Sequence, residues 1–120
     1  MNWWTWRGRH RRQPPLFQLG RVCVSEPARL ALHHADVPLG DLLMRHQHGD
    51  WGRIDALDVR QNALGLRLGL RLRSSYTLRA NPPDPDASVT VWVITTPNRK
   101  TTTVFLPREI FDDTSNDHND

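Results

Sequence analysis

The chain has a single cysteine, Cys23, so it cannot form an internal disulfide. It has no apolar run near the roughly 18 residues a membrane helix requires, and its first residues lack the apolar centre of a signal peptide. It carries no phosphate-binding loop, no nucleophile elbow, no dinucleotide fingerprint and no closed quartet of metal ligands. Lysine is nearly missing too: of 16 basic residues all but Lys100 are arginine, a bias that reports a GC-rich genome more than a phosphate-binding surface. These absences predict a soluble, cytoplasmic protein with no cofactor, no metal and no membrane partner. Cys23, within Arg21-Val22-Cys23-Val24, reads as a small buried hydrophobe in a strand.

What is present fits one domain. A length of 120 residues can bury a single core, while 38% hydrophobic residues and a mean hydropathy of −0.61 leave little to order the ends. Charge divides along the chain. Residues 1–15 hold four arginines and no acid, residues 111–120 hold four aspartates and no base, and the segment between them keeps the net +3 of the whole. Residues 1–15 therefore read as a disordered basic, Trp-rich arm, 16–110 as one domain, and 111–120 as a solvated acidic tail. The arm interleaves Trp3, Trp4 and Trp6 with Arg7, Arg9, Arg11 and Arg12. It would suit stacking on single-stranded nucleic acid or an anionic surface, but the favoured reading is an unstructured extension ended by Pro14-Pro15.

Within the domain, Leu16 to Val24 forms a β-prone run broken at Gly20. A helix over Ala28–His34 follows, with Ser25 or Glu26 as cap, Pro27 in its first turn, Leu30 and Ala31 turned to the core, and His33 and His34 at its C-terminal end. A second helix begins at Asp36-Val37-Pro38, uses Leu39, Leu42 and Leu43, and runs to about His46 before Gly49 stops it. The third and longest starts near Ile54 with Asp55 as N-cap and Asp58 three residues on. It carries Leu57, Leu64 and Leu68 as an apolar stripe, with Arg60 and Arg67 pointing elsewhere, and closes at Gly69. Beyond Gly69 the apolar period switches to two. Strands are predicted over 70–78, 89–96 and 101–106, with a solvated Pro- and Asp-rich loop over 79–88 and a tight hairpin at Pro97-Asn98-Arg99-Lys100. The fold class is α+β: a short N-terminal strand, two to three helices, then a three-stranded antiparallel β-meander covered on one face by the helices.

The densest cluster of chemistry-bearing residues is Arg45-His46-Gln47-His48-Gly49-Asp50-Trp51-Gly52. His46, His48 and Asp50 would share a face only on an extended strand, and a turn after a helix gives no such guarantee, so a metal role is not expected. Asp50 is instead expected to cap a turn or the next helix, and Trp51 to pack its ring on the core.

Together with Asp55, Asp58, Asn62, Gly69-Leu70-Arg71, Ser74, Tyr76-Thr77-Leu78, Val91-Trp92-Val93-Ile94-Thr95, Arg99, Thr102-Thr103-Val104 and Leu106-Pro107, that cluster resembles a family of small proteins from proteobacterial plasmids, phages and integrated elements. Its members go by the name of plasmid-related proteins and are at times loosely labelled as a type I restriction endonuclease subunit. The resemblance spans about Leu16 to Ile110. Its most specific parts are the Gly-Asp-Trp-Gly turn and the Trp-Val-Ile-Thr strand leading to Arg99. It implies a mobile-element setting and no activity, because the family has no established mechanism; the restriction label does not fit, since a methylating or cleaving subunit would need a cofactor-binding fold or a carboxylate and lysine nuclease core that this chain lacks. Thr96-Pro97-Asn98-Arg99 stands where family members carry Glu-Ala-Asp-Arg, which removes the acidic character of that hairpin. His48 stands where a small polar residue is usual.

Three classes of function follow. An accessory protein acting on an unknown protein partner would expose an apolar or aromatic patch, with Trp51, Trp92 and Phe105 as candidates. A nucleic-acid binder would show a basic groove. A metal-independent ribonuclease of the toxin type would bring Arg71, Arg73, Tyr76, Arg99 and His46 onto one sheet face, with Tyr76 off parity unless a bulge falls at Ser74-Ser75, whereas arginines on the solvent side of a half-buried strand need no function at all. The candidate functional surface is thus His46, Asp50, Trp51, Arg71, Tyr76, Trp92 and Arg99, with no catalytic residue assigned.

Overall fold

The computed structural model describes residues 13–80 and 87–109. The Trp-rich arm to residue 12, most of the 79–88 loop and the acidic tail lie outside the described residues. Strand β1 (Arg21–Val24) leads into helices α1 (Glu26–Ala35), α2 (Leu39–Gln47) and α3 (Ala56–Leu68), followed by strands β2 (Leu72–Arg79), β3 (Ser88–Thr95) and β4 (Thr101–Phe105).

Local signals set the helix ends. The Ser25 hydroxyl accepts from the Ala28 amide at 3.2 Å and donates to Glu109 Oε2 at 2.7 Å, so the start of α1 is tied to the segment after β4. Asp55 Oδ1 accepts from the Asp58 amide at 2.8 Å as the cap of α3, and Gly69 closes that helix at φ 70°. Asp36 departs from expectation. It is the C-cap of α1 in a left-handed conformation, and Pro38 occupies the N-cap position of α2.

The last three strands form the expected antiparallel run, but the sheet has four strands and is mixed, in the order β1-β4-β3-β2. β1 pairs in parallel with β4, from Arg21 opposite Thr101 to Val24 opposite Val104. Gly20 makes the approach feasible: at φ +66°, any Cβ there would lie 2.3 Å from the Lys100 carbonyl carbon. The Pro97–Lys100 hairpin is tight as anticipated, with Thr96 N–H bonded to Thr101 O and Arg99 at φ 59°.

Strand alternation defines the two sheet faces. Leu72, Tyr76 and Leu78, Val91 and Val93, and Val104 and Leu106 turn to one face, where Ala28 and Leu32 of α1 and Leu42 of α2 close the core. Burying each of the large aliphatic groups contributes roughly 1.5–3 kcal/mol. Leu30, expected inside, is 41% exposed; Leu32, on the other side of α1, fills the core.

α3 runs beside β2 and seals its outer edge. Asn62 accepts from the Arg73 amide at 3.0 Å and donates to the Arg73 carbonyl at 2.8 Å, imitating the missing neighbour strand. Two residues further along, Ser75 N–H bonds Trp51 O and Arg53 N–H bonds Ser75 O. Edge groups that would otherwise template aggregation are thereby paired. Gly65 lets α3 come this close, since a Cβ there would meet Leu72 Cδ2 at 2.7 Å. The leucine stripe is not part of the core. Leu57, Leu64 and Leu68 are 65%, 40% and 63% exposed, because Asn62 and Gly65 are the residues of α3 buried against the sheet.

Candidate functional site

The Arg45–Gly52 segment crosses from the end of α2 to the β2 edge, and its arginine, histidines and aspartate each have a structural partner. His46 is fully buried. Its Nδ1 is 2.5 Å from Ser74 Oγ and its Nε2 2.9 Å from Thr95 Oγ1, which is 2.7 Å from Thr102 Oγ1. Thr102 donates its proton to Leu19 O at 2.7 Å. That last bond fixes the direction of the chain: Thr102 must accept from Thr95, Thr95 must accept from His46 Nε2–H, and Nδ1 must accept from Ser74. The ring is therefore the neutral Nε2–H tautomer. Burial, aided by the positive charge of Arg99, pushes its pKa down to about 3. Phe17 and Trp51 flank it edge-on, with centroids 5.1 and 5.6 Å away.

Asp50 receives Arg45 in a two-pronged pair at 2.7 and 3.1 Å and accepts the Gly52 amide at 3.3 Å, so it stabilises the turn as anticipated. The Arg45 guanidinium lies 4.6 Å above the Tyr76 ring centroid. Tyr76 donates to the Asp50 carbonyl at 2.7 Å, and burial raises its pKa. His48 is held by Met44 O and Gln13 O at 2.8 and 2.9 Å. His46, His48 and Asp50 do not converge, and among the described residues no three His, Cys, Asp or Glu side chains group as metal ligands. Gly52, at φ +73°, sits where any Cβ would be 2.1 Å from Ser75 O.

Arg99 is a clamp. Its Nη1 donates to Leu70 O at 2.6 Å and Thr96 O at 3.1 Å, and its Nη2 donates to Gly65 O at 2.7 Å, so it satisfies carbonyls at the C-terminal end of α3 while lying 5.7 Å from the Phe17 ring centroid.

The ribonuclease constellation is not assembled. β2 pairs with β3 residue for residue from Leu72 to Arg79, without a bulge, so Tyr76 faces the core and Arg73 the opposite side. Arg71 is exposed just before the strand, and Arg99 is engaged with backbone carbonyls.

Two surfaces of the described residues hold the apolar stripe and the remaining aromatic candidates. One is the apolar flank of α3. The other is the sheet face turned away from α1 and α2. On it, Trp92 and Phe105 are register partners, both half-buried, meeting edge-to-face at 6.1 Å. Arg73 pairs with Asp58, and its guanidinium lies 4.5 Å from the Trp92 centroid. Its Nε–H is buried with no acceptor among the described residues, so the ring face supplies its compensation. Cys23 is half-buried on this same face and is less enclosed than expected. Of the aromatic candidates, all half-buried, Trp51 packs around His46, stacked on Phe17 at 6.3 Å, whereas Trp92 and Phe105 lie on the outer sheet face.

The exposed stripe could have been found from sequence. Asn62 and Gly65 share one side of the helix and Leu57, Leu64 and Leu68 another, and one sheet edge covers only one of the two. Compared with protein-family models, with curated proteins and with solved structures, the chain matches none of them.

Proposed function

We propose that this chain is an accessory protein of a mobile genetic element that acts by binding another protein, and that α3 is its docking surface. The observation that carries the reading is the exposure of Leu57, Leu64 and Leu68, which with Gln61 form a stripe at helical spacings of four, three and four. Leu70, just past the helix end, is 41% exposed as well. Contiguous apolar surface of this kind marks interaction sites on soluble proteins.

The partner that fits is an amphipathic helix laying its own apolar stripe along α3, with acidic residues beside it to meet Arg60 and Arg67, which are exposed along one border of the stripe. A second copy fits less well. Antiparallel pairing about the middle of the stripe would set Arg60 of each copy near Arg67 of the other, and like charges so placed repel.

The test places a photoreactive residue at Gln61 of the full chain and crosslinks in cells of the native host. One discrete protein, captured from position 61, lost with Leu64→Glu and weakened by Arg60→Glu with Arg67→Glu, supports the reading. Crosslinking to a second copy, or capture indifferent to Leu64→Glu, overturns it. Since Leu64 is already partly exposed, the variant should stay folded, which a thermal melt verifies.

A further inference from the structure

We infer that the sheet face that α1 and α2 do not cover among the described residues, centred on Trp92 and Phe105, is a binding site for single-stranded nucleic acid, a second surface whose argument does not rest on α3 as a docking site. Three observations converge on it. The strands contain three charged residues, Arg21, Arg73 and Arg79, and no acid; all three have the parity of the uncovered face. Arg73 is neutralised by Asp58 and held on the indole, while Arg21 and Arg79 are exposed at opposite corners of the sheet. Strand spacing and rise put those corners roughly 30 Å apart, with the ring pair between them.

The chemistry recognised follows from that layout. A face with positive charge at both ends and accessible aromatic carbon in the middle matches a polyanion that also carries flat apolar rings. Single-stranded nucleic acid has both: phosphates for Arg21 and Arg79, and unstacked bases for Trp92 and Phe105. A duplex would hide its bases and leave the aromatic pair without a ligand. An acidic peptide would satisfy the corners but would not reward the rings. Thr77, Thr90 and Thr103 lie on the same face and add hydroxyl donors suited to phosphate and sugar oxygens. Trp92 and Phe105 lie side by side on neighbouring strands, so two adjacent bases would meet the ring pair.

The experiment measures fluorescence anisotropy of labelled homopolymer DNA and RNA of about ten nucleotides with the full chain, over a series of salt concentrations. Binding is expected, with affinity falling as salt rises. Trp92→Ala should weaken it roughly fivefold to 150-fold, the range typical for loss of one stacking ring, and Trp92→Phe should restore most of it. Arg21→Gln and Arg79→Gln change exposed side chains and leave folding intact. Each should lower the salt slope by about one unit without altering the preference between homopolymers. Because residues 1–15 also carry tryptophans and arginines, the same variants decide where binding occurs. Affinity unchanged in Trp92→Ala and in both arginine variants overturns the proposal, whatever the wild type binds. So does a lack of oligonucleotide binding, and so does tighter binding of a duplex than of its separate strands. A protein captured by a photoreactive residue at Thr90, with no oligonucleotide response, would assign the face to a protein partner instead.

Discussion

Replacing His46 with glutamine should make the stability of this protein less sensitive to acid, although the variant is less stable at neutral pH. In the folded protein the ring is fully buried and its pKa is lowered from 6.5 to about 3; in the unfolded chain it titrates near the ordinary value. Between those two values the unfolded state binds the proton that the folded state refuses. Stability from this group is thus fully present above pH 6.5 and is lost as pH falls toward 3. The slope in that window is about 1.4 kcal/mol per pH unit, so roughly 3 kcal/mol is gone by pH 4 and roughly 5 kcal/mol over the full span. The hydrogen-bond chain supplies the same sign independently. An imidazolium would direct a second N–H at Ser74, whose hydroxyl would have to turn its proton away from Nδ1 and give up the bond it now donates. Urea unfolding of wild type and His46→Gln at pH 7, 6, 5 and 4 gives the test, because carboxylates common to both proteins cancel in the difference. The stability gap should narrow by about 1.4 kcal/mol for each unit below 6.5. A gap constant from pH 7 to pH 4, or an NMR titration of the His46 ring with a midpoint near 6.5, would refute both the burial argument and the assigned tautomer.

Two further expectations concern the β2 edge. Asn62→Ala removes both bonds to the Arg73 backbone and should cost about 2–4 kcal/mol in chemical denaturation, with the Arg73 amide exchanging at least tenfold faster in hydrogen-exchange NMR. An unchanged Arg73 exchange rate would mean that the edge is covered by something other than Asn62. Glycine substitutions should separate by site. Gly52→Ala meets Ser75 O at a positive φ and should lose more than about 2 kcal/mol, whereas Gly40→Ala, with nothing within 4 Å in a helix, should gain about 0.5–1 kcal/mol. Equal thermal shifts for the two would rule out the close approach.

The parts of the fold that were legible in the sequence rest on short-range physics. Ser25, Asp55 and Gly69 announce helix ends because capping is settled within four residues, and the alternation after Gly69 announces strands because each side chain reports its own face. The parallel pairing of β1 with β4 was not legible. It joins segments about 80 residues apart, and a four-residue strand carries no mark of which free edge it will occupy. The stripe on α3 was seen and its environment misjudged, for a related reason. A periodic row of leucines states that something covers it and does not state whether the cover belongs to the same chain. Asn62 and Gly65 were the available signals, since a glycine inside a helix points to a close backbone approach on that side, and here the approach is to β2.

The polar cluster that looked most like a site is explained by geometry of another kind. The uninterrupted core-facing row of β2 includes Ser74, that of β3 includes Thr95, and that of β4 includes Thr102, so three hydroxyls meet near one end of an otherwise aliphatic sheet. Buried hydroxyls left unpaired would each cost about 1–3 kcal/mol, and a single imidazole bonds two of them and, through Thr95, aligns the third. His46 is the side chain that α2 delivers to that spot. The arginines follow the same logic: Arg45, Arg73 and Arg99 each lie over an aromatic ring and each also bonds a carboxylate or backbone carbonyls. Residue types associated with chemistry are therefore spent on closing the fold. What the fold leaves over is apolar and aromatic surface on α3 and on the outer sheet face, bordered by the exposed Arg60 and Arg67 and by Arg21 and Arg79, and this is why the functional argument rests on surfaces that bind and not on groups that react.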